Sequence, residues 1–232
     1  MPSISRIVKA HGLEKRVEKK WWKVSEFAQK IGIPSSAPTR LYRQFISSFP
    51  ITKIGRFSLN FSQVQGESLV ALTIRTINKR RYVGVKDRKF KIPPIPVPCQ
   101  PFKARFILAS TIEPQIKHPF KKEKGVCVIT SLIGPGEKYG ENMRMVDSLK
   151  QEVGGPWQNY LVRQLVEHSK AQGLGAVALL RPEHNHFLSN EYLAKAGVSS
   201  GEAEQMRSAF YAAARKNKMK KVKGSKYFWI YF

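Results

Sequence analysis

Two short stretches hold the residue types that acid–base or anion chemistry needs. The first is Arg181-Pro182-Glu183-His184-Asn185-His186, directly after the apolar run AVALL. A carboxylate beside two imidazoles supplies proton-transfer groups or metal ligands, and open α/β sheets bind ligands beyond the C-terminal ends of their strands. Glu183 and His184 are therefore candidate catalytic residues. His184 and His186, together with Glu183 or His118, are the candidate centre of a metal-assisted nuclease, although no third ligand stands at a diagnostic spacing and the pattern by itself implies no metal. The second stretch is Ile133-Gly134-Pro135-Gly136-Glu137-Lys138-Tyr139-Gly140, between an apolar strand pattern and a helical one. Glycines let the backbone approach a ligand, a helix N-terminus presents unpaired N–H groups and Lys138 adds charge, so the turn has the makings of a phosphate cradle. It lacks the Gly-Lys-Ser/Thr ending of a P-loop and the dinucleotide fingerprint, and a plain strand-to-helix turn has the same composition.

The charge points to a partner. In 232 residues, 41 Lys+Arg face 16 Asp+Glu, a net charge of +25, while the 42% of apolar residues is enough for a folded core. Such a surplus repels itself unless a polyanion neutralises it, which implies DNA, RNA or a nucleoprotein. The charge is uneven: residues 1–124 carry 26 basic and 7 acidic residues, residues 125–214 carry 8 and 9, and residues 215–232 carry 7 basic residues and no acid. Candidate nucleic-acid contacts follow from its clusters: Lys79, Arg80 and Arg81 beside Tyr82; Lys121 and Lys122; and Lys218, Lys220, Lys221, Lys223 and Lys226, which run into the aromatic close KYFWIYF. A solvated hairpin end and a buried closing strand are the alternatives for the first and last of these. No apolar run approaches the ~18 to 20 residues of a spanning helix, and the start MPSISRIVKAHGLEKRVEKKWW lacks a secretory apolar block. The expected setting is the cytoplasm or the nucleoid, with no membrane partner. Cys99 and Cys127, the two cysteines, allow neither a disulfide framework nor a four-cysteine zinc site, and read as reduced packing residues.

The elements that must position these residues fall into three regions of an α+β protein. Residues 1–55 are basic and helical. Within them VSEFAQKIGIPSSAPTRLYRQFISSF has the caps and spacing of a helix-turn-helix, with Arg40 and Arg43 on the reading helix, although two plain amphipathic helices fit as well. Residues 56–124 alternate apolar and polar residues in FSLNFSQV, SLVALTIRTI and RRYVGVKDRKFKI, the pattern of antiparallel strands, and include the Pro-rich linker or edge segment IPPIPVPCQP. Residues 125–232 alternate strand and helix: GVCVITSL, a Gly-rich turn, a helix, the helix WQNYLVRQLVEHSKAQG stopped by Gly173, AVALL, further helix, and a closing strand.

In this last region CVITSLIGPGEKYG, YLVRQLVEHSKAQGLGAVALLRPEHN and AFYAAARKNKMKKVKGSKYFWIYF resemble, in order, the elements of the GNAT acyltransferases. The extra helix between Gly140 and Trp157 departs from that pattern, as does the missing Gln or Arg ahead of the glycines. The resemblance implies an α/β domain that takes acetyl-coenzyme A or another acyl-coenzyme A. Gly134, Gly136, Lys138 and Gly140 would line the pyrophosphate, Asn185 would lie past the strand that opens for the pantetheine arm, and Tyr211 would be the general acid. The expectation is thus a nucleic-acid-binding protein that acylates nucleic acid or a nucleoprotein. A non-catalytic nucleic-acid or ribonucleoprotein binder is the alternative, and the nuclease is the third.

Overall fold

The structure is a computed structural model that describes residues 35–36, 44–63, 70–76, 82–83, 95–96, 102–119, 124–134, 140–195 and 197–232. Arg40, Arg43, Lys79, Arg80, Arg81, Lys121, Lys122, Gly136, Lys138 and Cys99 lie outside the described residues, as does most of the expected helix-turn-helix. Its described parts are residues 44–49, with a helical turn over 44–47, and Ser35–Ser36, which is a short strand paired with residues 109–111 and not part of a helix.

The strands are β1 (Ser35–Ser36), β2 (Thr52–Ile54), β3 (Phe57–Gln63), β4 (Val70–Thr76), β5 (Tyr82–Val83), β6 (Ile95–Pro96), β7 (Phe102–Thr111), β8 (Val126–Ile133), β9 (Ala176–Leu180), β10 (Lys220–Lys221) and β11 (Tyr227–Tyr231). The helices are α1 (Gly140–Val153), α2 (Trp157–Ala171), α3 (Asn190–Lys195) and α4 (Ser200–Lys216). One sheet runs in the order β10-β11-β9-β8-β7-β4-β3-β2, with β1 paired to β7, and β5 and β6 form a separate pair. The expected α+β class is what the chain adopts. The sheet crosses the expected boundary at residue 124, because β7 and β8 pair along most of their length.

Among the described strands only β8 and β9 pair in parallel. A parallel pair needs a crossover, and α1 and α2 supply it. Both strands are buried on both faces, from Val126 to Ser131 and from Ala176 to Leu180, and are apolar from Val126 to Ile129 and throughout β9, as central strands require. The helix α2 buries Trp157, Leu161, Val162, Leu165, His168 and Ser169 along one stripe. His168 lies among the rings of Phe45, Phe49 and Phe61 and donates from Nε2 to the Phe45 carbonyl at 2.6 Å, tying residues 44–49 to α2. Burial pushes the imidazole pKa down and the Cys127 thiol up to about 12, so Cys127 is a packing residue.

The two faces of β11 meet different neighbours. Phe228 faces α4, where Tyr211 packs edge-on at 5.6 Å, while Trp229 faces residues 112–119, where His118 lies 4.3 Å from it. His118 donates from Nε2 to the Ile112 carbonyl (3.2 Å) and accepts at Nδ1 from Tyr231 (3.3 Å).

All four helices end in the same way. An N–H bonds the carbonyl five residues back, from Gly155 to Lys150, Leu174 to Ser169, Val198 to Leu193 and Met219 to Ala214. The residue before each donor must then adopt a left-handed backbone. Three of these positions are Gly154, Gly173 and Gly197, but the fourth is Lys218, at φ 55°.

Candidate functional site

The parallel pairing runs from Val126↔Ala176 to Ile129↔Leu179 and stops, although β8 continues to Ile133. On the other side of β8 the register jumps at the same place: Phe106 faces Ile129 and Arg105 faces Ser131. Thr130 is therefore a bulged residue with no register partner in β7, although its hydroxyl donates to the Arg105 carbonyl at 3.4 Å. A bulge bends its strand and raises the local twist, and β9 ends at Leu180, one residue past its last pair with β8. The Asn185 amide, buried at this opening, donates from Nδ2 to the Thr130 carbonyl at 3.1 Å. Next to it Ser131 Oγ is buried without a hydrogen-bond partner.

A charged network stands just past β9. Arg181 donates from its backbone to Lys226 O (3.0 Å), from Nη1 to Ser225 O (2.8 Å) and from Nε to Glu183 Oε1 (2.9 Å), and Nη2 completes the ion pair with Glu183. The short 3-10 turn Pro182–His184 presents Glu183 outward, where its second oxygen accepts from Tyr211 Oη at 2.8 Å. Burial opposes ionisation of Glu183, but its own backbone N–H, Arg181 and Tyr211 outweigh it and hold the carboxyl at about 2. The Tyr211 phenol is pushed up, first by burial and then by its bond to Glu183. Two residues read separately as candidates, Glu183 and Tyr211, are thus joined. As an anion at neutral pH, Glu183 is an orienting acceptor and not a general acid.

The other expected site residues are placed as follows. His184 is exposed on the same turn, and its ring joins no hydrogen bond among the described residues; His186 packs edge-on against Tyr192 at 5.5 Å. Among the described residues no three His, Cys, Asp or Glu side chains gather as a metal site. Gly140 opens α1. Gly134 packs under Trp157: a Cβ there would lie 2.9 Å from the indole, so packing alone requires glycine. Lys218, Lys220, Lys221, Lys223 and Lys226 are all exposed, and none forms an ion pair with a described residue. The aromatics that follow them do not form a stacking platform, since Tyr227, Phe228 and Trp229 are buried.

Three features left no local mark in the sequence. The Thr130 bulge is one. Arg181 as organiser of Glu183 is another, because its second partner, Ser225, is 44 residues away. The third is Glu113, which is buried, accepts from Ser225 Oγ and from Lys226 N (2.7 Å), and thereby anchors the hairpin turn that Arg181 also grips. Among the described residues no helix is long and apolar enough to cross a membrane. Compared with protein-family models, with curated proteins and with solved structures, the chain matches none.

Proposed function

We propose that the chain binds nucleic acid or a nucleoprotein and acylates it from an acyl-coenzyme A, acetyl-coenzyme A being the simplest donor. The observation that carries this reading is the end of the β8–β9 pairing at the bulged Thr130, where β8 runs on past β9 beside Asn185, near the Tyr211–Glu183 pair. Further support is the order of elements: a strand, a turn into a helix, a second helix, a parallel strand, Asn185, the Tyr211 helix and a closing hairpin. That order is the one the GNAT resemblance implies, apart from the additional helix before Trp157. A protein of this kind works where nucleic acid is, in the cytoplasm or on the nucleoid.

The residues present fit such a donor. Beyond Ile129 no residue of β8 pairs with β9, which leaves backbone groups of residues 131–133 for an amide-bearing arm, and Ser131 Oγ adds a partnerless hydroxyl. The N-terminus of α1 at Gly140 suits phosphates. When bound, the acyl-coenzyme A supplies a thioester open to direct attack by an amine. Tyr211 is 46% exposed and is the candidate proton donor: its single Oη proton is held by Glu183 here, and to act as the acid it would have to turn from Glu183 to the thiolate that leaves as the amine attacks. Two observations favour the second reading, a binder without catalysis: Asn185 already occupies the Thr130 carbonyl, and Trp157 accounts for Gly134.

A thermal-shift titration separates them. With the chain freed of nucleic acid in high salt, saturating acetyl-coenzyme A should raise Tm by about 5 to 10 °C, from the ~2.7 kcal/mol expected at a hundredfold excess over Kd. In Gly140→Asp, whose carboxylate favours a helix start but repels phosphate, that rise should vanish. A rise with nucleic acid alone, smaller at higher salt, would leave the chain as a binder and end the catalytic reading.

A further inference from the structure

We infer that the elbow and hairpin after α4, residues 215–226, form a face that grips the phosphate backbone of a duplex and reads no bases. The inference rests on the nucleic-acid half of the proposed function and is independent of acyl transfer.

Charge on this face is unmatched. Lys216, Lys218, Lys220, Lys221, Lys223 and Lys226 are exposed, no carboxylate among the described residues pairs with them, and residues 215–232 contain no acid. Lysines also protect sheet edges, but of these six only Lys220 and Lys221 lie on the edge strand β10. The fold also places a lysine where it favours glycine, since Lys218 holds the left-handed position that Gly154, Gly173 and Gly197 hold at the other helix ends. A side chain retained in a strained backbone, with no partner inside the described protein, is there for something outside it.

The aromatic rings decide which polyanion. Single-strand binders stack bases on exposed rings. Here Tyr227, Phe228 and Trp229 are buried, Trp229 and Tyr231 stack on each other at 5.5 Å, and His118 covers Trp229. What remains is a cationic edge made of Arg215 and the lysines, with Lys220 and Lys221 on opposite sides of β10; the phosphates of a duplex fit it, and the two duplexes of unrelated sequence decide whether Arg215 or a lysine also reaches a guanine. Nor does the face present a large apolar side chain to a lipid surface: the exposed ones are Ile51, Tyr192, Met206 and Tyr211, all outside it. The face is well placed for the chemistry. Lys221 lies directly across from Phe228, whose ring contacts Tyr211, so a backbone laid along β10 passes the phenol.

The test compares the full chain with a triple variant, Lys220→Ala, Lys221→Ala and Lys223→Ala, whose exposed sites leave the Tm unchanged. Binding is measured by fluorescence anisotropy over a range of salt, using two short duplexes of unrelated sequence, a single strand of the same length, and vesicles of phosphatidylserine and phosphatidylcholine. The variant should bind both duplexes on the order of 30-fold more weakly, by the same factor, and its log Kd against log salt slope should fall by about 3. The single strand should bind the wild type more weakly than either duplex. A variant that binds duplex as tightly as the wild type overturns the inference and leaves the nucleic-acid reading standing on the first half of the chain. A sequence preference lost in the variant, tighter binding of the single strand, or tighter binding of the vesicles also overturns it. A wild type that binds no nucleic acid removes the reading beneath it as well.

Discussion

Among the described residues two elbows hold a residue with a side chain in the left-handed backbone region: Glu113, at φ 49°, and Lys218, at φ 55°. Each conformation costs roughly 1 to 2 kcal/mol that glycine would avoid. At Glu113 the fold itself supplies the compensation. The turned backbone aims the carboxylate inward, where it accepts from Ser225 Oγ and Lys226 N, and Ser225 Oγ in turn accepts from Tyr227 N and Trp229 Nε1. At Lys218 the side chain points to solvent and meets no partner among the described residues. The same departure from ideal geometry is structural in one place and unexplained by the fold in the other, and only the second calls for a ligand.

That contrast is broken most sharply by making both residues glycine. Glu113→Gly relieves about 1 kcal/mol of backbone strain but removes the acceptor for two donors that folding has taken from water, a loss of about 3 kcal/mol. The net fall of about 2 kcal/mol should lower Tm by about 4 to 8 °C in a thermal melt. An unchanged or raised Tm would mean that the buried carboxylate anchors nothing.

Arg181 joins the anchored turn to the exposed network, so Arg181→Met sharpens the comparison from the other side. Losing the bond to Ser225 O should cost about 1.5 kcal/mol, and it also changes the response to acid. The folded Glu183 carboxyl titrates at about 2 against an ordinary 4.5, so it contributes stability that is complete above pH 4.5 and is lost as pH falls from there toward 2. Without Arg181 the folded value moves back toward 4.5 and this acid sensitivity shrinks. Melts at pH 3 and pH 6 read it: the Tm difference should be smaller in Arg181→Met than in the wild type, and equal differences would show that Arg181 does not hold the carboxylate.

These residues also mark where sequence reading stops. Periodicity exposed β8, β9 and α2, because an apolar run or stripe records which faces are buried, and Gly173 announced the end of α2 because glycine is the residue a left-handed turn favours. The closing aromatics were legible as a strand, either a binding strand or a buried one; what buries them, α4 on one side and residues 112–119 on the other, was not. The polar segment after AVALL was visible as a candidate site, yet its chemistry was not. Whether Glu183 is an acid or an orienting anion depends on Arg181 and Tyr211, and the phenol is 28 residues away. Glu113 and Ser225 are 112 residues apart, and the Thr130 bulge is a property of register between strands, so neither leaves a pattern in a window of sequence.

The smallest expected effect has the opposite sign. Lys218→Gly removes a Cβ from the left-handed position and loses no bond within the described protein, so it should stabilise the chain by about 1 kcal/mol and raise Tm by about 2 to 4 °C. The hydrogen bond from Met219 to Ala214 that closes α4 remains available to glycine, as it is at the other three helix ends. If Lys218 serves a phosphate, the same variant should bind duplex a few-fold more weakly, with a salt slope smaller by about 1. A gain in stability paired with a loss of binding is what separates this elbow from that of Glu113, where the same change lowers stability. A gain in stability with binding intact would instead reduce Lys218 to an imperfect helix stop and remove it from the phosphate face.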